Sequence, residues 1–297
     1  MSGFELSGYF LSAIAALVLA GWLFTHRARL GSASGATAIA LAITAMWSIS
    51  IVGFGPLATV GRLLFGVAGL AWLWALYRLF AQDGRHASLA PIRPVVAVVG
   101  FVGLLQVALL LAGTGFANGA ALGALLHAQI ALRLLFCVGA LVLVHNLYVG
   151  ASTPNRGNLR WPAAALGLLW VFELNYDTVA YLAGGIPTLL DALAGWVPLG
   201  MVCLLSLGAM AKDGEQIFRP SRSFAFQPFS LLLIGAYFVV MVVAFEGLSA
   251  IGGDFMRLAQ LAFIAGASAL ALIVLPSRQL RGWRRVTLTK HLFQHRY

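Results

Sequence analysis

The stretch LGALLHAQIALRLLFCVGALVLVHNLY, residues 122–148, decides the class of fold. Crossing about 30 Å of hydrocarbon at ~1.5 Å per residue takes roughly 20 predominantly apolar residues in a helix. This stretch meets that length with a turn to spare, and its only charged residue is Arg133. The same ruler finds candidate spans at residues 7–25, 33–53, 57–80, 94–114, 161–184, 187–211, 229–250 and 256–276. The expected fold is therefore all-α, a polytopic integral membrane bundle of about nine transmembrane helices. The second and third spans are divided only by GFGP (Gly53 to Pro56), where Pro56 suits the first turn of a new helix.

Composition agrees. Of 297 residues, 61% are hydrophobic and 9% charged, with a mean hydropathy of +0.92. A water-soluble domain made this way could not cover itself with polar surface. After nine spans and their connections, no room remains for a soluble catalytic domain of ordinary size. Cys137 and Cys203 lie inside apolar runs, where a thiol behaves as a small hydrophobe. The start, MSGFELSGYF, lacks a positive n-region, and the first span is expected to stay in place.

The net charge of +10 is topological and does not point to nucleic acid. Sixteen of the nineteen basic residues follow or flank the odd-numbered spans on one side of the bilayer, whereas a connection such as GTGFANGAA (Gly113 to Ala121) has none. By the positive-inside rule the N-terminus is expected outside and the C-terminus in the cytoplasm of a bacterial inner membrane. The loop from Lys212 to Ser230 mixes charge with the alternating SFAFQPF and is expected to rest on the headgroups.

Several chemistries lack their signatures: there is no G-x-x-x-x-G-K-[ST], no H-E-x-x-H and no G-x-S-x-G. None of the six histidines is followed by an acid, so no phosphoacceptor is visible. GGDF (Gly252 to Phe255) falls in a short connection between spans and reads as a turn. No catalytic residue, metal site or cofactor is expected in this chain.

Charge inside the spans is the sharper signal, because ionisable groups in hydrocarbon are costly and usually face the bundle interior. Arg62, His127, Arg133, Glu173 and Asp177 are the candidates for a buried polar cluster or signal site linking spans three, five and six. Glu173 and Asp177, in FELNYD, share one helical face and need partners or protons. Depth counted along the spans permits a pair between Arg133 and Glu173 and a second between Asp177 and Arg62 or His127. Such pairs either hold the bundle together or form a ligand or proton sensor, and acids at this depth also open a transporter reading.

The chain closes on LPSRQLRGWRRVTLTKHLFQHRY, where six Lys/Arg and two His occupy the last twenty residues without an acid. Residues 1–276 read as the membrane bundle and 277–297 as a basic juxtamembrane linker. The first arginines suit a stop-transfer flank held by anionic lipids. The remainder, LRGWRRVTLTKHLFQHRY, resembles the juxtamembrane stretch of the PrsK family, the histidine kinases of the PEP-CTERM/exosortase system, with Lys290, His291, Phe293, Arg296 and Tyr297 fitting its pattern. LVHNLYVGAS (Leu143 to Ser152) is similar to that family's span-closing segment. Ser221, Arg222, Tyr237 and Met241 align with a further stretch.

The resemblance implies the transmembrane sensor region of a two-component histidine kinase that regulates exopolysaccharide and PEP-CTERM protein expression. It implies Trp283, Arg284, Arg285, Lys290, His291, Phe293, Arg296 and Tyr297 as the coupling element to a kinase region outside this chain. ATP and Mg would belong only to that region. The partners implied are membrane lipids, a second copy in a homodimer and, through the kinase, a response regulator. A small transporter or lipid-handling membrane protein is the alternative.

Overall fold

Eight helices account for most of the residues that the computed structural model describes, which are 3–27, 32–82, 92–113, 119–150, 153–183 and 188–210. They are α1 (Gly3–Thr25), α2 (Ser32–Phe54), α3 (Thr59–Gln82), α4 (Arg93–Gly113), α5 (Gly119–Gly150), α6 (Thr153–Ala183), α7 (Thr188–Ala194) and α8 (Val197–Met210). The last two expected spans, 229–250 and 256–276, lie outside the described residues. So do the Lys212 to Ser230 loop and the juxtamembrane element with Trp283, Arg284, Arg285, Lys290, His291, Phe293, Arg296 and Tyr297.

Among the described residues five helices are long and apolar enough to cross a membrane: α1, α2, α3, α4 and the Leu125–Gly150 part of α5; the bent pair α7 and α8 makes a sixth if taken as one span. The described residues are thus all-helical, with the apolar helices of a membrane-embedded protein. The 31-residue α6 is longer than any of these but α5, yet its polar first turns and its Glu173, Asn175 and Asp177 keep it out of that apolar class.

Helices α1 to α6 pack in chain order, each against the next, α7 packs against α1, and α8 returns to pack against both α6 and α1. The ring this makes encloses one apolar core, in which Trp72, Leu76, Leu143, Leu166, Trp170 and Met201 are fully buried. The outward faces carry Phe10, Val18, Val98, Phe101 and Leu104, as a lipid-facing surface requires. Inside the core, Trp72 Nε1 donates to Thr44 Oγ1 at 2.9 Å, a polar pair between α2 and α3. Thr44→Val keeps the shape but leaves the indole N–H with no acceptor, an expected loss of about 1–3 kcal/mol. Thermal unfolding in detergent checks it, with Thr44→Ser expected to keep most of the stability.

Two expectations about element ends change. Pro56 does not open a helix: α2 runs to Phe54, Gly55 adopts φ +83° with its N–H bonded to Ile51 O at 2.9 Å, and α3 starts only at Thr59. This is the glycine helix stop, and Pro56 follows it because it cannot continue the helix. Residues 188–210 form no single straight helix. α7 and α8 meet at an angle of 41° across Gly195 and Trp196. Ser12 Oγ donates to Gly195 O at 2.6 Å, and Trp196 stacks on Phe4 while its Nε1 donates to Phe4 O at 3.2 Å. The break is thus tied down by α1.

Candidate functional site

One face of α5 carries Gln129, Arg133 and Cys137, each four residues from the last and so each about 6 Å further along the helix. α6 runs antiparallel to it, and the polar side chains meet in rungs. At the outermost rung Arg62 Nη2, from the first turn of α3, donates to Gln129 Oε1 at 2.9 Å. One turn further in, Arg133 Nε lies 2.9 Å from Asp177 Oδ2. The innermost rung joins Cys137, whose thiol donates to Glu173 Oε2 at 3.6 Å. As α5 steps inward from 133 to 137, α6 steps back from 177 to 173, the register that antiparallel helices impose.

These rungs form one wall of a cavity of about 170 Å³, large enough for a small polar group or several waters. It lies where α1, α3 and α5 begin and α2, α4 and α6 approach their ends, so every helix contributes. Tyr9, Trp47, Phe65, Gln106, Phe172, Tyr176 and Pro198 complete its lining. The Arg133 guanidinium carbon sits 4.5 Å from the centre of the Phe65 ring, a cation–π contact. Tyr176 OH donates to Asp191 Oδ1 at 3.0 Å, linking α6 to α7. Beneath the cavity a space of about 10 Å³, bounded by Gly103, Arg133, Phe136, Cys137 and Glu173, is at the threshold for one water.

Below that level the buried side chains are mainly apolar, with the Trp72–Thr44 hydrogen bond among them. Phe136 meets Trp170 edge-on, and Trp72, Leu76, Leu143, Leu166 and Met201 fill the middle of the ring. The polar space is a cup with a hydrophobic floor.

Of the five residues expected in a buried cluster, four share this region and one does not. Asp177 is buried, with 3% of its side chain exposed, and Arg133 has 28% exposed, toward the cavity. Glu173 is half-buried, whereas Arg62 is exposed at the rim. His127 is also exposed and packs its ring against Tyr181, 6.1 Å between centroids, outside the cup. Arg62 and His127 lie within a few residues of the outer ends of their apolar stretches, where a long or amphipathic side chain reaches the polar boundary.

The expected pairing is also replaced. Arg133 pairs with Asp177, not with Glu173, and Arg62 bonds to Gln129. Depth counted along each span puts Arg133 level with Glu173, whereas the register in which the two helices pack sets it beside Asp177. Gln129 and Cys137 were not singled out from the sequence, although their spacing from Arg133 makes a polar stripe on an otherwise apolar helix. Tyr9, Trp47 and Gln106 carry no such local signal, since only tertiary packing brings them together.

Among the described residues no three of His, Cys, Asp and Glu are arranged to hold a metal ion. No protein-family model, curated protein or solved structure matches the chain.

Proposed function

We propose that this chain is the membrane sensor and anchor region of a two-component histidine kinase of the PrsK type, sitting in a bacterial inner membrane and regulating exopolysaccharide and PEP-CTERM protein expression. In this reading nine spans carry the N-terminus outside and the C-terminus into the cytoplasm. The cup then opens to the envelope side, and span nine passes the signal to a cytoplasmic kinase in a homodimer.

The observation that carries the sensory part is the apolar floor. A transporter needs a polar route that continues across the bilayer, and its binding site is usually built from helices broken at corresponding positions of two repeats. Here the polar rungs end at Cys137 and Glu173, above the layer of Trp72, Leu143 and Trp170. Only one bent helix pair, α7 and α8, occurs among the described residues. A polar site open at one end and closed at the other suits detection more than passage.

Two further observations support the orientation and the resemblance. Arg27, Arg78, Arg93, Arg156 and Arg160 lie on the helix ends opposite the cup, as a cytoplasmic face should. The Asn146, Leu147, Tyr148 segment closes α5 four residues before its last residue, Gly150, consistent with the span-closing role that the resemblance implies. A sensor of this kind works through two packings a few kcal/mol apart, each favoured by one state of the signal.

The experiment is to read the gene in frame past the codon for Tyr297. A phosphoacceptor histidine followed by an acid, and the glycines of an ATP site, are expected there. A stop codon would overturn the kinase reading and leave the transporter as the better account.

A further inference from the structure

At the mouth of the cup, guanidinium N–H donors are left over. Arg62 is held by the neutral amide of Gln129 and, among the described residues, meets no carboxylate within ion-pair distance. A guanidinium offers five N–H donors, and this one spends one on Gln129. One turn inward, Arg133 uses its Nε on Asp177, and its two terminal nitrogens make no hydrogen bond to another described residue. Of the acids nearby, Asp177 is paired with Arg133, Asp191 accepts from the Tyr176 hydroxyl, and Glu173, which lines the deep end of the cavity, accepts from Cys137, two rungs or about 12 Å along α5 from Gln129. Two guanidiniums with spare donors therefore face one cavity, walled on its other sides by Trp47, Ile51, Val107 and Leu110.

We propose that the cup binds a ligand carrying an anionic oxygen group, a carboxylate or a phosphate, clamped by Arg62 and Arg133, with its apolar part against the Trp47 and Leu110 wall. Planar guanidiniums match such oxyanions in a fork of parallel hydrogen bonds, which a lysine cannot reproduce. The same chemistry is offered by an anionic lipid headgroup and by a soluble oxyanion. The inference rests on reading the cup as the signal site, but binding to this chain is measured without any kinase, so the two can fail separately.

The test uses the full chain in detergent, followed by thermal unfolding while each probe is titrated. One arm compares phosphatidylglycerol with phosphatidylcholine; the other compares inorganic phosphate and acetate with chloride at equal ionic strength. Stabilisation is expected from at least one anionic probe and not from phosphatidylcholine or chloride, with Arg62→Gln weakening it roughly tenfold or more, as loss of a charge-assisted hydrogen-bond fork should. Arg62→Lys, which keeps the charge and the fold, is expected to weaken it by a smaller factor. A response to phosphatidylglycerol alone identifies a lipid headgroup, and one to phosphate or acetate a soluble ligand. No response to any anionic probe, or a response that Arg62→Gln and Arg62→Lys both leave unchanged, would overturn the proposal.

Discussion

Asp177→Asn is expected to destabilise the bundle by about 3 kcal/mol, the lower end of the range for stripping a buried charge of its partner. The low end applies because Arg133 borders the cavity, where water can reach part of it. With total stabilities of about 5–15 kcal/mol, that loss is enough to empty much of the folded population of a marginal protein. Removing both charges is a different experiment. Arg133→Met with Asp177→Leu removes both ions of the pair together, and such replacements are often neutral or stabilising, so the double variant is expected to unfold nearer the wild-type temperature than Asp177→Asn does. The exchange of Arg133→Asp with Asp177→Arg should recover part of the single-variant loss. Thermal unfolding in detergent, with size-exclusion profiles to confirm a single species, distinguishes these outcomes. Equal stability of Asp177→Asn and wild type would mean that the rung contributes nothing.

Gly195→Ala carries the second large effect. A methyl group there would lie 2.9 Å from Glu5 O and 2.9 Å from Tyr9 N, both backbone atoms of α1 that cannot rotate away. Either α1 retreats, losing the Ser12 bond to Gly195 O, or the turn between α7 and α8 opens. Overpacking of this kind costs about 1–3 kcal/mol. Gly21→Ala is the control. It sits on the exposed face of α1 with nothing within 4 Å of the added atom, and alanine is the better helix former by about 1 kcal/mol, so that change should be neutral or stabilising.

The span positions were legible because apolar length alone fixes them: the stretches read at 33–53 and 94–114 lie within a residue of α2 and α4. The bend at Gly195 and Trp196 left a signal in LAGWVP, where Gly195 and Pro198 interrupt the stretch, but a reading by apolar length passes over it. It arises from the close approach of Gly8 and Ser12 on α1, a tertiary contact. The acids on α6 and the arginine on α5 were visible as costly charges, but their pairing was not. Pairing depends on how far each helix is displaced along its axis, and a shift of one turn exchanges Asp177 for Glu173. Arg62 was read as buried because it falls inside a hydrophobic window, whereas its position in the first turn of α3 leaves it at the rim.

The central claim is that the polar cup opens at one end and is sealed by an apolar floor. Single cysteines placed in a Cys137→Ser, Cys203→Ala background and treated with a membrane-impermeant thiol reagent, from each side of the membrane in turn, test it directly. Gln129→Cys is expected to react from the envelope side only, while Leu76→Cys and Leu143→Cys react from neither side. Labelling of Leu76→Cys or Leu143→Cys, from either side, would reveal water below the floor and contradict the account.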